Sequence, residues 1–171
     1  LLVDAINTNL ANVLGNLVNR TIGMANKYFN GMITNTSVNE NIDSELINEV
    51  LSLNVKIEEK INKLRIADSL EDIIDVYRRC NKYIDETTPW VLAKDEGRHD
   101  RLKTIIYNLV ESIRIATVYL QAYLPDTAEC IFNQLNTTIK DFDSAKSFGK
   151  YISGTKVNKP EVLFMRIDNE E

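Results

Sequence analysis

The sequence predicts an all-α protein: a helical bundle with an extended C-terminal tail. Three observations carry this. Apolar residues recur at spacings of three and four rather than two, which is the helical period. Only six glycines and three prolines punctuate the 171 residues. At 44% apolar and 26% charged, the composition is that of one ordinary globular domain, neither disordered nor several domains in series.

The elements follow in order. Val3, Ile6, Leu10, Leu14, Leu17, Thr21, Met24 and Tyr28 form one stripe, a long first helix that Asn30-Gly31 stops. After a polar loop from Thr34 to Asn41, a second stripe runs through Leu46, Val50, Leu53, Ile57, Ile61 and Leu64, with Asp43 or Ser44 as its N-cap. A third helix starts near Asp68 or Ser69 and uses Leu70, Ile73, Ile74, Tyr77 and Ile84. Thr87 or Thr88 then caps a short helix with Pro89 in its first turn, reaching to about Lys94. Leu102, Ile105, Ile106, Leu109, Ile113, Ala116 and Leu120 mark a further long helix, and Pro125 opens a last one ending near Leu135. The bundle is therefore assigned to residues 1–135. Residues 136–171 lose the period and gather Ser, Gly and Lys around Phe142, Phe148, Tyr151 and Leu163-Phe164, a tail with anchors expected to pack back on the bundle or on a neighbouring domain.

Composition excludes several classes of function. Cys80 and Cys130 lie fifty residues apart with no CxxC and no nearby His, which removes a disulfide framework and a Cys/His zinc site. Both are expected to be small buried apolar residues. No apolar run approaches the roughly 18 residues of a membrane span, and the N-terminus has no signal-peptide pattern. A cytoplasmic protein with no membrane partner is expected. The net charge of −5 argues against DNA or broad phosphate binding, while leaving recognition by a few residues open. Leu1-Leu2-Val3 enters the amphipathic pattern with no initiator Met and no cap, so the sequence reads as an excised domain.

Catalysis finds no support. The one histidine, His99, lies in a charged connection, Lys94 to Arg101, where a solvated loop residue is expected. Nucleophile elbows, phosphate-cradling glycine loops and HExxH are absent. The carboxylate pairs Glu58-Glu59 and Glu71-Asp72 fall on faces predicted to be exposed. No catalytic and no metal-binding residue is assigned. Two polar features stand out instead. Asn12, Asn16 and Arg20 are spaced by four and form one polar stripe beside the apolar one. Asn offers a donor and an acceptor and Arg a planar fork, suited to a base edge, although an Asn-rich chain also scatters such residues on any exposed face. Trp90, the only tryptophan, is by size a core anchor. Its place after a proline at a helix start is equally suited to presenting a ring outward, as a platform for an unstacked base.

These residues belong to blocks that resemble a known family. Asn9-Leu10-Ala11-Asn12-Val13-Leu14-Gly15-Asn16-Leu17-Val18-Asn19-Arg20 resembles the start of the anticodon-binding helical domain of methionyl-tRNA synthetases. Asn81-Lys82-Tyr83-Ile84-Asp85-Glu86-Thr87-Thr88-Pro89-Trp90-Val91-Leu92-Ala93-Lys94 is similar to that family's tryptophan motif. Tyr107 to Arg114, Leu124 to Ala128, and Gly149 followed by Lys159-Pro160 through Ile167 match in order and spacing, so the resemblance spans essentially the whole chain. Two positions depart from it: Asn9, where the family often has an acidic residue, and Met165, where it often has proline.

The resemblance implies an all-helical module that reads the CAU anticodon of methionine tRNAs. Asn16 and Arg20 would contact anticodon bases, chiefly the first cytosine, and Trp90 would stack on the splayed-out base with Pro89 fixing its ring. It further implies a parent enzyme that joins methionine to tRNA using ATP. The nucleotide-binding signatures and zinc knuckle of that parent belong to a catalytic domain absent from this sequence, so the chain itself is expected to need no cofactor and to perform no aminoacylation. Its expected partners are the anticodon loop and that catalytic domain. A reading of another class is a helical module that docks a protein through its tail and apolar edge, for which the acidic balance speaks.

Overall fold

The first stripe folds as α1 (Leu2–Phe29) in a computed structural model that describes the backbone of residues 2–160 and the side chains of residues 8–160. Leu10, Leu14, Leu17 and Ile22 are fully buried, while Asn12, Asn16 and Asn19 are exposed, the two faces of an amphipathic helix. The helix ends where Asn30 and Gly31 take left-handed φ values of 55° and 82°, conformations that Asn and Gly adopt at least cost. A Cβ on Gly31 would also come within 2.9 Å of the Asn26 side-chain oxygen.

After β1 (Met32–Ile33) the chain forms α2 (Asn41–Leu51) and α3 (Leu53–Asn62), where the apolar period alone predicts one helix. The interruption falls at Ser52, whose hydroxyl donates to the Glu49 carbonyl at 2.5 Å. Such back-bonding competes with the helical ladder without disturbing the apolar spacing, which is why the stripe conceals it. The start also differs from expectation. The N-cap is Glu40, not Asp43 or Ser44. Asp43 stands three residues in, and its Oδ2 accepts the Glu40 backbone N–H at 3.0 Å.

Next come α4 (Ile66–Thr87), α5 (Pro89–Leu92), α6 (His99–Leu120) and α7 (Pro125–Leu135). Helix α6 is the axis of the bundle and packs against α1, α2, α4 and α7. Every residue from Thr104 to Leu120 is buried, the mark of a helix surrounded by protein on all sides. His99 is the first residue of α6 rather than a solvated loop residue. Its Nε2–H donates to the Ala93 carbonyl at 3.1 Å, and its ring stands edge-on to Phe29 with centroids 6.0 Å apart.

Residues 136–160 lie against the bundle. Tyr151 is buried, accepts at its carbonyl from the Tyr107 hydroxyl at 2.7 Å and donates from its own hydroxyl to the Leu135 carbonyl at 2.6 Å. β2 (Thr155–Lys156) pairs antiparallel with β1, a two-residue ladder too short to leave a period in the sequence. Beneath the tail sits a fully buried ion pair on α6, Glu111 with Arg114 at 2.6 Å. Glu111 accepts the backbone N–H groups of Gly149, Lys150 and Tyr151, and Arg114 donates to the Ser144 hydroxyl and to the carbonyls of Ile139 and Ser144. Polar groups thus do part of the anchoring that the sequence assigns to aromatic rings. Phe142, expected as an anchor, is 55% exposed. Cys80 is buried as expected, but Cys130 is only half-buried. Leu163-Phe164 and the closing segment from Glu161 onward lie outside the described residues.

Candidate nucleic-acid interface

The junction between α4 and α5 decides how Trp90 is presented. Thr88 takes φ 44° and ψ 63°, a left-handed conformation that is rare for a β-branched residue and costs on the order of 1–3 kcal/mol. Thr88 is the N-cap of α5, one of the two residues the sequence offers for it, but its hydroxyl makes no capping bond, and the Thr87 hydroxyl is spent on the Tyr83 carbonyl at 2.7 Å. The sharp turn is held by backbone bonds, Thr88 N–H to the Ile84 carbonyl and Val91 N–H to the Thr88 carbonyl, both 3.0 Å. Pro89 then points inward and is buried, while the adjacent Trp90 is 43% exposed. A ring set beside an anchored proline on a one-turn helix is presented rigidly.

Arg20 projects from α1 with its side chain 38% exposed. Its Nη2 donates to Asp85 at 3.0 Å and its Nη1 to the Asn81 side-chain oxygen at 3.3 Å. The Asn81 amide nitrogen in turn donates to the Val13 carbonyl at 3.2 Å. A guanidinium carries five N–H donors, so these bonds orient the fork and leave donors for a ligand. Arg20 and Trp90 line one open groove of about 460 Å³, together with Ile84 and Met24. Asn16 is not among the groove-lining residues. It lies exposed one turn before Arg20 on the same helix face, with Asn12 exposed a turn further. The structure therefore brings Arg20 and Trp90 together, with Asn16 joining along the stripe.

Asn81 and Asp85, which orient Arg20, went unassigned in the sequence although both stand in the tryptophan block. Their spacing of four on α4 is the signal that puts them on one face, but nothing local says that this face meets α1.

A second polar cluster lies under the α2 N-terminus. Arg101 holds Asp43 through two bonds of 2.6 and 2.9 Å, and the Tyr83 hydroxyl donates to the same carboxylate at 2.6 Å. Burial acts to raise the Asp43 pKa, yet the bonds from Arg101, Tyr83 and the Glu40 backbone together outweigh it and hold the carboxyl below its ordinary range. These charges satisfy one another. Of the carboxylate pairs placed on exposed faces, Asp72 is largely covered and ion-paired with Lys60, and Glu71 pairs with Arg78 at 2.9 Å. Burial pushes the Cys80 thiol up to about 12, an inert group. Among the described residues no cluster of three or more His, Cys, Asp or Glu side chains could hold a metal ion, and no helix is long and apolar enough to cross a membrane.

A bundle of this architecture occurs in solved methionyl-tRNA synthetases. The methionyl-tRNA synthetase of Mycobacterium tuberculosis superimposes with a TM-score of 0.85 in its free state and 0.87 in complex with methionyl-adenylate, at 29% sequence identity. These matches cover 94% and 96% of this chain but 33% of the synthetase chain. The family described as the anticodon binding domain of methionyl tRNA ligase matches residues 33–171, and the chain belongs to that family. The methionine–tRNA ligases of Clostridium acetobutylicum and Clostridium tetani are 51% and 49% identical over 97% and 99% of this chain. The chain spans 26% of the length of those relatives.

Proposed function

We propose that this chain reads the CAU anticodon of methionine tRNAs on behalf of a cytoplasmic methionine–tRNA ligase. The observation that carries the proposal is that Arg20 and the exposed Trp90 line one open groove. A splayed-out base stacks on Trp90, a sequence-tolerant contact. Arg20 donates to the acceptors on the edge of that base, and Asn16, with a donor and an acceptor, supplies the complementary reading of cytosine. Activation of methionine with ATP and its transfer to tRNA fall to the catalytic domain of the parent ligase. This chain contributes recognition and no catalytic group. Any zinc belongs to that catalytic domain.

Trp90 is the only tryptophan, so its fluorescence reports directly on the groove. Titration with a CAU anticodon stem-loop should quench it strongly, and a loop with a changed first base much less. Arg20→Ala should lose about 1–3 kcal/mol of affinity for the matched loop, the scale of one good base-edge contact, and should lose most of the discrimination. Equal quenching by both loops in the unsubstituted protein would sink the proposal.

A further inference from the structure

One position in the groove is built against the stability of its own helix. Gly23 lies in the interior of α1, where glycine is the least favourable residue after proline. Two reasons internal to a protein normally explain such a glycine, a left-handed φ or a close neighbour. Neither applies here, because its φ is not in the left-handed range and a Cβ built on it meets no atom within 4 Å. An exposed glycine of this kind leaves the α1 backbone open to the close approach of a ligand. Gly23 lines the same groove as Arg20 and Trp90, and so does Lys27.

Asn16, Arg20, Gly23 and Lys27 step by four, three and four along α1, which keeps them within about 60° of one face over about 16 Å. Lys27 is exposed and forms no ion pair among the described residues. Its Nζ rests 5.8 Å from the centroid of the Tyr28 ring. Along this face a ligand meets first a base-reading fork beside a stacking ring, then bare backbone, then an unpaired cation. A nucleotide carries the matching order of base, sugar and phosphate.

We propose that Gly23 and Lys27 form a ribose–phosphate subsite. The sugar of an anticodon-loop nucleotide lies against the α1 backbone at Gly23, and Lys27 Nζ meets the adjoining phosphate. This rests on the anticodon reading above and extends it from base to backbone. A contact of this kind adds affinity without discriminating among bases.

The test titrates Gly23→Ala and Lys27→Ala with the CAU stem-loop and with a first-base variant, over a range of salt, beside thermal unfolding of each protein. Gly23→Ala should raise Tm, since alanine favours the helix and finds open space. It should nonetheless weaken both loops by about tenfold, or about 1.4 kcal/mol. Gain of stability with loss of binding cannot arise from damaged folding. Lys27→Ala should weaken both loops by one common factor and reduce the salt slope by about 0.7, the value for one phosphate contact on a single strand. If the unsubstituted protein does not distinguish the two loops, the anticodon reading fails. If it does, and either variant binds both loops as the unsubstituted protein does, the subsite alone is overturned.

Discussion

Trp90 owes its exposure to the residue before it. Pro89 occupies the buried position of a one-turn helix, and the left-handed Thr88 sets the direction from which that helix departs. The ring therefore stands half in solvent without the freedom of a loop residue, and little is lost in ordering it when a base arrives. Trp90→Ala should cost about 1–3 kcal/mol in stem-loop binding, the range for base–aromatic stacking, while changing Tm little. A tryptophan in a core would behave oppositely, losing about 3–5 kcal/mol of stability on truncation. Thermal unfolding and titration of this one variant decide between the roles, and a large drop in Tm with unaltered affinity would make Trp90 structural. The placement of Trp90 at a helix start and of Arg20 on a polar stripe was legible in the sequence because it is local: a proline, a helix start, a spacing of four. Their meeting in one groove was not, because it depends on α1 packing against α4, a contact between segments some seventy residues apart in the chain.

Among the elements, those bounded by strong local signals were read correctly. Pro125 opens α7 and the end of its apolar period closes it at Leu135, and Asn30-Gly31 ends α1. The division of α2 from α3 escaped because Ser52 breaks hydrogen bonding and not periodicity. The cap of α2 escaped because Asp43 is drawn inward by an arginine on another helix. That pairing gives α2 a pH dependence. The folded-state pKa of Asp43 is depressed, so its contribution to stability is present above the ordinary carboxylate pKa and is lost as pH falls through the folded value. Asp43→Asn should cost about 3–5 kcal/mol at neutral pH by leaving the buried Arg101 with only the half-exposed Glu40 carboxylate, 3.4 Å away, as counter-charge. The substituted protein should also lose this part of the acid sensitivity, so the two stability curves converge below pH 4 or so. Chemical denaturation at a series of pH values measures it, and a constant gap at all pH values would show that Asp43 stays charged throughout or contributes through packing alone.

At the scale of the whole molecule, the proposed reading of RNA by an acidic chain must rely on a few well-placed groups rather than on a positive field. The net charge is −5, and Arg20, one of the two cations lining the groove, is already paired with Asp85. Affinity should then come mainly from stacking and base-edge contacts, which release few counterions. For single strands each neutralised phosphate adds about −0.7 to the slope of log K against log salt. With Lys27 as the one groove cation that has no ion pair among the described residues, the expected slope for the CAU stem-loop is about −0.7. It should be nearly the same for a first-base variant, because discrimination resides in contacts that salt does not screen. Titration across a tenfold range of salt would measure both slopes. A value of about −4 or steeper would mean that the loop is held by a broad phosphate-binding surface, and specificity would then have to be sought away from the Arg20–Trp90 groove.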